Sequence, residues 1–143
     1  MDITAMSGET NLKKLLGNLS PTLLQGTFVF CTLPEGTYGD FAQTCPKAFV
    51  MEKEGVTLVV EKSVADSHGF SYSGEFSCIS LEVHSSLEAV GLTAVISGML
   101  AAHEISVNMI AGYHHDHLFV PVANATAAMA LLHNLDGIEK PDS

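Results

Sequence analysis

Hydrophobic positions in this chain recur with two periods, near 3.6 and near 2, and each period names its element. Leu12, Leu15 and Leu16 recur at helical spacing over Asn11–Gly17, and Gly17 ends the run. Thr27–Leu33 (TFVFCTL) is β-branched and aromatic and predicts a strand. Residues 34–47 hold Pro34, Gly36, Gly39 and Pro46 and predict a long loop. Ala48–Lys53, then Glu54-Gly55, then Val56–Lys62 predict a β-hairpin whose glycine is free to take a positive φ. Ser63 and Asp66 have the spacing of a capping box, predicting a helical turn that ends near Gly69. Residues 1–10 are polar and expected to fray, and Pro141-Asp142-Ser143 reads as a tail.

In the second half, Phe76–His84 (FSCISLEVH) predicts a strand. Phe76, Cys78, Ser80 and Glu82 alternate there with Ser77, Ile79, Leu81 and Val83. Ser85 can cap a helix, and Glu88, three residues on, can return the bond. That helix is expected from about Ser86 to His103, with Leu87, Val90, Gly91, Ala94, Val95, Gly98, Met99 and Ala102 on one face. Leu92, Ile96 and Leu100 populate the other flank, which suggests a sheet on one side and a partner on the other. Ile105–Gly112 and His117–Val122 predict strands, with Pro121 pointing to a strand end. Asn124 can cap a last helix to about Leu135, with Ala128, Leu131, Leu132 and Leu135 inward and Gly137 as the stop.

Composition narrows the function classes. Hydrophobic residues make up 47% of the 143 and charged residues 15%, against about 25% charged in an average soluble chain. A chain this apolar is not disordered over most of its length, and it is expected to bury surface in a homodimer as well as in its own core. The net charge is −10, there is no arginine, and residues 75–143 carry one base, Lys140, against eight acids. Nucleic acid and anionic membrane surfaces are therefore excluded as partners. Three scattered cysteines, Cys31, Cys45 and Cys78, suggest no disulfide framework, and a reducing cytoplasm is the expected compartment. Neither a signal peptide nor a stretch long enough to span a bilayer is expected.

The order β-β-β followed by β-α-β-β-α predicts an α+β, ferredoxin-like fold with helices on one face of a mostly antiparallel sheet. Within it, residues 76–135 resemble the ACT domain, a regulatory module of amino-acid metabolism. The resemblance is carried by FSCISLEV, by SSLEAVGLTAVISGMLAAHEISVNMI and by YHHDHLFVPVANATAAMALLHNL. They stand where that family has its first strand, its first helix with second strand, and its third strand with second helix. HDHLFVP is similar to a bacterial subgroup of small stand-alone tandem ACT proteins. The opening LLxxLxPxLxxGTFVF and the hairpin MEKEGVTLVVE resemble the degenerate ACT-like half that precedes it there, although a full first helix is missing. Two domains are thus expected, a degenerate half at 1–74 and an ACT domain at 75–143. The resemblance implies no catalytic activity, no cofactor, and a small amino acid bound at an interface between paired domains.

Several residues can carry such binding. Ser85-Ser86-Leu87 is an expected helix N-terminus, whose free N–H groups favour a carboxylate; ordinary capping is the alternative. Gly91 matches the glycine usual early in the family's helix and lets a ligand or a neighbouring backbone approach. Close helix–sheet packing explains it equally well. His114-His115-Asp116-His117 offers imidazole and carboxylate groups that suit zinc, iron or manganese. In a strand His114 and Asp116 would share one face and His115 and His117 the other, so two at most could meet one ion. Asp116 can alternatively pair with a ligand's ammonium group, or the run can be a polar hairpin turn. Asn108 can bond a ligand or a neighbouring loop. No nucleophile motif, phosphate loop or His-Glu-x-x-His is present.

The expected function is a regulatory, non-enzymatic protein that binds a small amino acid and signals it to an unknown regulated protein through assembly or partner binding. Ser85, Ser86 and Leu87 would take the carboxylate and Asp116 the ammonium. Leu87, Ile105 and Val107 would shape the pocket. Two rivals stand beside it. One is a metal-dependent enzyme on His114–His117; the other is a ligand-free dimerisation module with Leu92, Ile96 and Leu100 as interface.

Overall fold

The computed structural model describes residues 11–82 and 90–135. In chain order these form α1 (Leu12–Gly17), β1 (Pro21–Leu23), β2 (Phe28–Leu33), α2 (Tyr38–Phe41), β3 (Ala48–Glu52), β4 (Gly55–Glu61), α3 (Lys62–His68) and β5 (Ser71–Tyr72). They continue with β6 (Phe76–Leu81), α4 (Leu92–Ala102), β7 (Asn108–Ala111), β8 (Asp116–Pro121) and α5 (Ala125–Leu135). Short 3-10 turns at Ala42–Thr44 and Val122–Asn124 follow α2 and precede α5. The chain groups into two compact units, one of residues 25–77 and one in which residues up to Leu24 join those from Cys78 onward.

The 25–77 unit has the strand order β5-β2-β4-β3, every pair antiparallel. Phe28 stands opposite Glu61 and Leu33 opposite Val56, so the whole length of β2 is paired. Alternation sends Val29 and Cys31 to one face with Val56, Leu58 and Val60, where Ala65 of α3 packs on them. Successive elements β2, α2, β3, β4, α3 and β5 make a complete β-α-β-β-α-β unit with a first helix of only four residues. That helix lies inside the stretch expected to be a plain loop. The Thr37 N–H donates to the Asp40 carboxylate at 2.8 Å and starts it.

The other unit has the strand order β1-β6-β8-β7, with β1 antiparallel to β6 and β7 antiparallel to β8. Its fourth strand position is filled by Pro21–Leu23, from upstream in the chain, opposite Ile79–Leu81. Helices α1, α4 and α5 contribute Leu15, Leu16, Ile96, Leu100, Ala128 and Leu132 to one core with Ile79, Leu81, Leu118 and Val120. Both units therefore have the antiparallel, helix-covered ferredoxin-like arrangement.

Several expectations are corrected. The long helix is helical from Leu92 in its described part; Gly91 precedes it with φ +99°, a conformation outside the helical region. Residues 83–89, including the expected Ser85 cap, lie outside the described residues, as do 1–10 and 136–143. The face of Leu87, Val90, Gly91, Ala94, Val95, Gly98, Met99 and Ala102 is largely exposed where it is described: Ala94, Gly98 and Ala102 meet solvent and Val90 is 83% exposed. Leu92, Ile96 and Leu100, the other flank and the interface of the dimerisation rival, are the buried row. Larger side chains remove more apolar area from water, so they win the core side over alanine and glycine. Ser63 and Asp66 form no capping box, because the helix starts two residues earlier than that box requires, at Lys62 with Glu61 as its N-cap. Instead the Asp66 carboxylate accepts from Lys62 Nζ at 3.0 Å and from the Tyr72 hydroxyl at 2.5 Å. The strand expected over Ile105–Gly112 shortens to Asn108–Ala111, and β1 and β5 were not expected.

Candidate functional site

The polar cluster lies where β7 turns into β8. Residues 112–115 close this hairpin, with the Gly112 N–H donating to the His115 carbonyl at 2.9 Å. Ala111 then faces Asp116, Ile110 faces His117 and Asn108 faces Phe119. Because the strand begins only at Asp116, the alternation expected for His114–His117 does not extend back through the turn.

From Asp116 the alternation does hold. Asp116, Leu118 and Val120 share a face, and Leu118 and Val120 belong to the core. Asp116 thus continues an apolar row with an acidic side chain, the residue being 9% exposed. It makes no side-chain hydrogen bond among the described residues. Burial holds its carboxyl above the usual carboxylate range, and the nearby His117 and His115 partly oppose that.

His115 Nε2 lies 3.3 Å from Glu82 Oε2, at the end of β6. The opposite ring nitrogen, Nδ1, is buried and has no hydrogen-bond partner. His117 Nδ1 stands 3.4 Å from the Ile110 carbonyl, across the hairpin. His114 is exposed, its ring 5.1 Å from that of Tyr113 and 6.3 Å from that of His115. Among the described residues no three His, Cys, Asp or Glu side chains come together as a metal-holding group.

The other expected site residues are spread around the same unit. Gly91 is the residue before α4, and a Cβ there would lie 3.2 Å from Leu12 Cδ2. Ile105 is buried in the core, and Val107 is half-buried against it. Asn108 is exposed at the start of β7. Ser85, Ser86 and Leu87 lie outside the described residues. A cleft of about 210 Å³ lies in the 25–77 unit, between Pro34–Gly36 and the β3–β4 turn, and borders none of these residues. Glu82 was not singled out by the sequence. Its signal was its place in the Phe76-Cys78-Ser80-Glu82 row, off the face that Ile79 and Leu81 give to the core.

Two ACT domain family models match the chain in tandem, one over residues 7–77 and one over residues 73–134.

The chain belongs to the ACT domain family.

ACT domains are regulatory modules, and this chain carries two of them. It is similar to a crystal structure of a protein of unknown function from Vibrio cholerae, a possible transport protein. The identity is 46% over 87% of this chain and 94% of that one, with a TM-score of 0.78. It shares its fold with the ligand-free regulatory subunit of aspartate kinase from Thermus thermophilus, at 10% identity over 80% of this chain and 95% of that one, with a TM-score of 0.54. Aspartokinase III of E. coli, in complex with aspartate and ADP, matches at 14% identity over 80% of this chain and 32% of that one, with a TM-score of 0.59. No curated protein matches. Among the described residues no helix of this tandem ACT chain is long and apolar enough to cross a membrane.

Proposed function

We propose that this protein is an amino-acid sensor whose ligand is anchored by its ammonium group at Asp116. One observation carries the reading. Asp116, as a residue 9% exposed, stands at the end of a core row, and its side chain makes no hydrogen bond among the described residues. Desolvation holds its carboxyl above the usual carboxylate range. An ammonium ion would supply both the missing hydrogen bond and the countercharge. The tandem ACT assignment supports an amino acid as the source of that ammonium.

In this reading the ligand carboxylate goes to the backbone amides of Ser85, Ser86 and Leu87, since the chain has no arginine to receive it. Gly91 and Asn108 border the ligand, and Leu87, Ile105 and Val107 limit its side chain. The site lies at an interface between ACT domains of a homodimer. Occupancy favours the pairing geometry that the ligand bridges, and a regulated partner protein reads that change. The protein acts without catalysis and without a metal.

Isothermal calorimetry of the full chain against the twenty standard amino acids tests this. A saturable heat with one or a few of them, lost in Asp116→Ala, is the expected result. No heat with any of them overturns it.

A further inference from the structure

We infer that the outer face of α4 and α5 is where a second copy of this chain docks, with Gly98 at the point of closest approach. This deepens the homodimer of the reading above and does not depend on its ligand. The first observation is what the face lacks. Neither α4 nor α5 has an Asp, Glu, Lys or Arg, and from residue 89 to residue 135 the chain carries only Glu104 and Asp116 of these types. The inward sides of the two helices hold Leu92, Ile96, Leu100, Ala128 and Leu132. The sides left over are exposed, with Thr93, Ala94, Gly98 and Ala102 on α4 and Ala127 and Ala130 on α5. A helix whose outer face meets only water ordinarily carries charged residues there. These two helices pack against each other, so their uncharged faces adjoin.

Gly98 is the second observation. Glycine inside a helix is less favourable than alanine, so a mid-helix glycine calls for a packing reason. Its backbone is helical and does not require it. Nor do its neighbours: among the described residues, a Cβ at position 98 would meet nothing within 4 Å. The missing side chain therefore serves an approach from outside the chain, since the side chains at a helix–helix contact set how close the two backbones come.

Charge decides the occupant. Each copy has a net charge of −10, so two copies repel wherever their acids face each other. Neither helix carries an acid, and a second copy brings the same neutral face to the contact. A basic partner would find no carboxylate on these helices to pair with, and an acidic one no lysine. The arrangement is also self-complementary. A two-fold axis at Gly98 sets Gly98 against Gly98, and Ala94 of each copy toward Ala102 of the other, so small positions meet small positions.

The test is sedimentation equilibrium of the full chain from about 0.05 M to about 0.5 M NaCl, without ligand and with each standard amino acid. A dimer whose dissociation constant falls as salt rises is expected, because salt screens the repulsion between the two acidic chains and the face has no ion pairs to weaken. Gly98→Leu, which enters open space in the single chain, is expected to weaken the dimer about tenfold or more. A thermal melt confirms that this variant is folded. Gln43→Leu, exposed in the 25–77 unit, is expected to leave the dimer unchanged. As a second readout, Gly98→Cys on a Cys45→Ser background is expected to give a covalent dimer under a mild thiol oxidant, and Gln43→Cys on the same background is not. Cys31 and Cys78 are buried and take no part. A dimer that Gly98→Leu leaves intact and that Gly98→Cys does not cross-link overturns this face and leaves the sensor reading standing. A wild type that is monomeric at every salt concentration, with and without amino acids, overturns the face and the homodimer together. Absence of binding heat with every amino acid overturns the sensor reading and not this face.

Discussion

Gly91 sits against Leu12: a Cβ at position 91 would lie 3.2 Å from Leu12 Cδ2, in a backbone held at φ +99°. The contact joins the first helix of the described chain to the residue that opens α4. A side chain here would meet an unfavourable backbone well before it met Leu12, whose tip can swing aside. Gly91→Ala is expected to cost about 1–3 kcal/mol, read as a lower urea midpoint at unchanged slope. If the variant is as stable as the wild type, the glycine is not required by the backbone, and ligand approach becomes its remaining explanation.

The two faces of α4 can be told apart by paired substitutions. Ile96 is fully buried among Leu92, Leu100 and Leu118, whereas Ala94 is exposed. Ile96→Ala is expected to cost about 2–5 kcal/mol, and Ala94→Ser less than about 0.5 kcal/mol. Chemical denaturation of both variants measures this; the reverse ranking would mean the helix is rotated.

Asp116 gives stability a pH dependence whose sign follows from its burial. Its folded carboxyl is raised above the ordinary range, so the native chain keeps a proton that the unfolded chain has released. Stability therefore falls as pH rises through that interval, and the cost is fully present above it. Asp116→Asn, which removes the charge, is expected to stabilise the ligand-free protein at neutral pH by about 1 kcal/mol. The gain should vanish below the ordinary carboxylate range, and the same substitution should abolish the response to amino acids. Thermal melts across pH with and without ligand would show both; a destabilised variant at neutral pH would mean that the carboxylate is satisfied.

In the 25–77 unit the Lys62–Asp66–Tyr72 triad works in the opposite sense. The Tyr72 hydroxyl and then Lys62 hold Asp66 below the ordinary carboxylate value of 3.8. The hydrogen bond to Asp66 raises both Tyr72 and Lys62 above their ordinary values of 10.0 and 10.5. The Asp66 contribution is present above its unfolded pKa and is lost as pH falls through the lower folded one. The Tyr72 and Lys62 contributions are present below their unfolded pKa values and are lost as pH rises through the folded ones. Tyr72→Phe is thus expected to be less stable than the wild type near neutrality, with the difference closing as pH falls through the folded Asp66 pKa. Ultraviolet titration of Asp66→Asn should return the Tyr72 phenol toward 10.0; an unmoved phenol would disprove the bond.

Much of this was legible before any coordinates. Leu12, Leu15 and Leu16 at helical spacing, the β3–β4 hairpin around Glu54-Gly55, the strand from Phe76 and the last helix with Ala128 and Leu132 inward all stand where their patterns put them. These are local signals: side-chain period and turn chemistry act over a few residues and leave their mark in the chain itself. The asymmetric charge, the missing arginines and the polar run at 114–117 were equally plain.

What only the tertiary structure decided were choices between locally equal options. Periodicity gave α4 two apolar flanks, and the core took Leu92, Ile96 and Leu100 because their larger side chains remove more apolar surface from water. Pro21–Leu23 is too short to announce itself and is a strand because Ile79–Leu81 offers it an edge. Glu82 is ordinary in sequence and acquires a partner because β6 ends beside the turn that carries His115, 33 positions further on. The chemistry of Asp116 was visible in its residue type; its place at the end of the core row, where desolvation raises its pKa, depends on neighbours brought from distant parts of the chain.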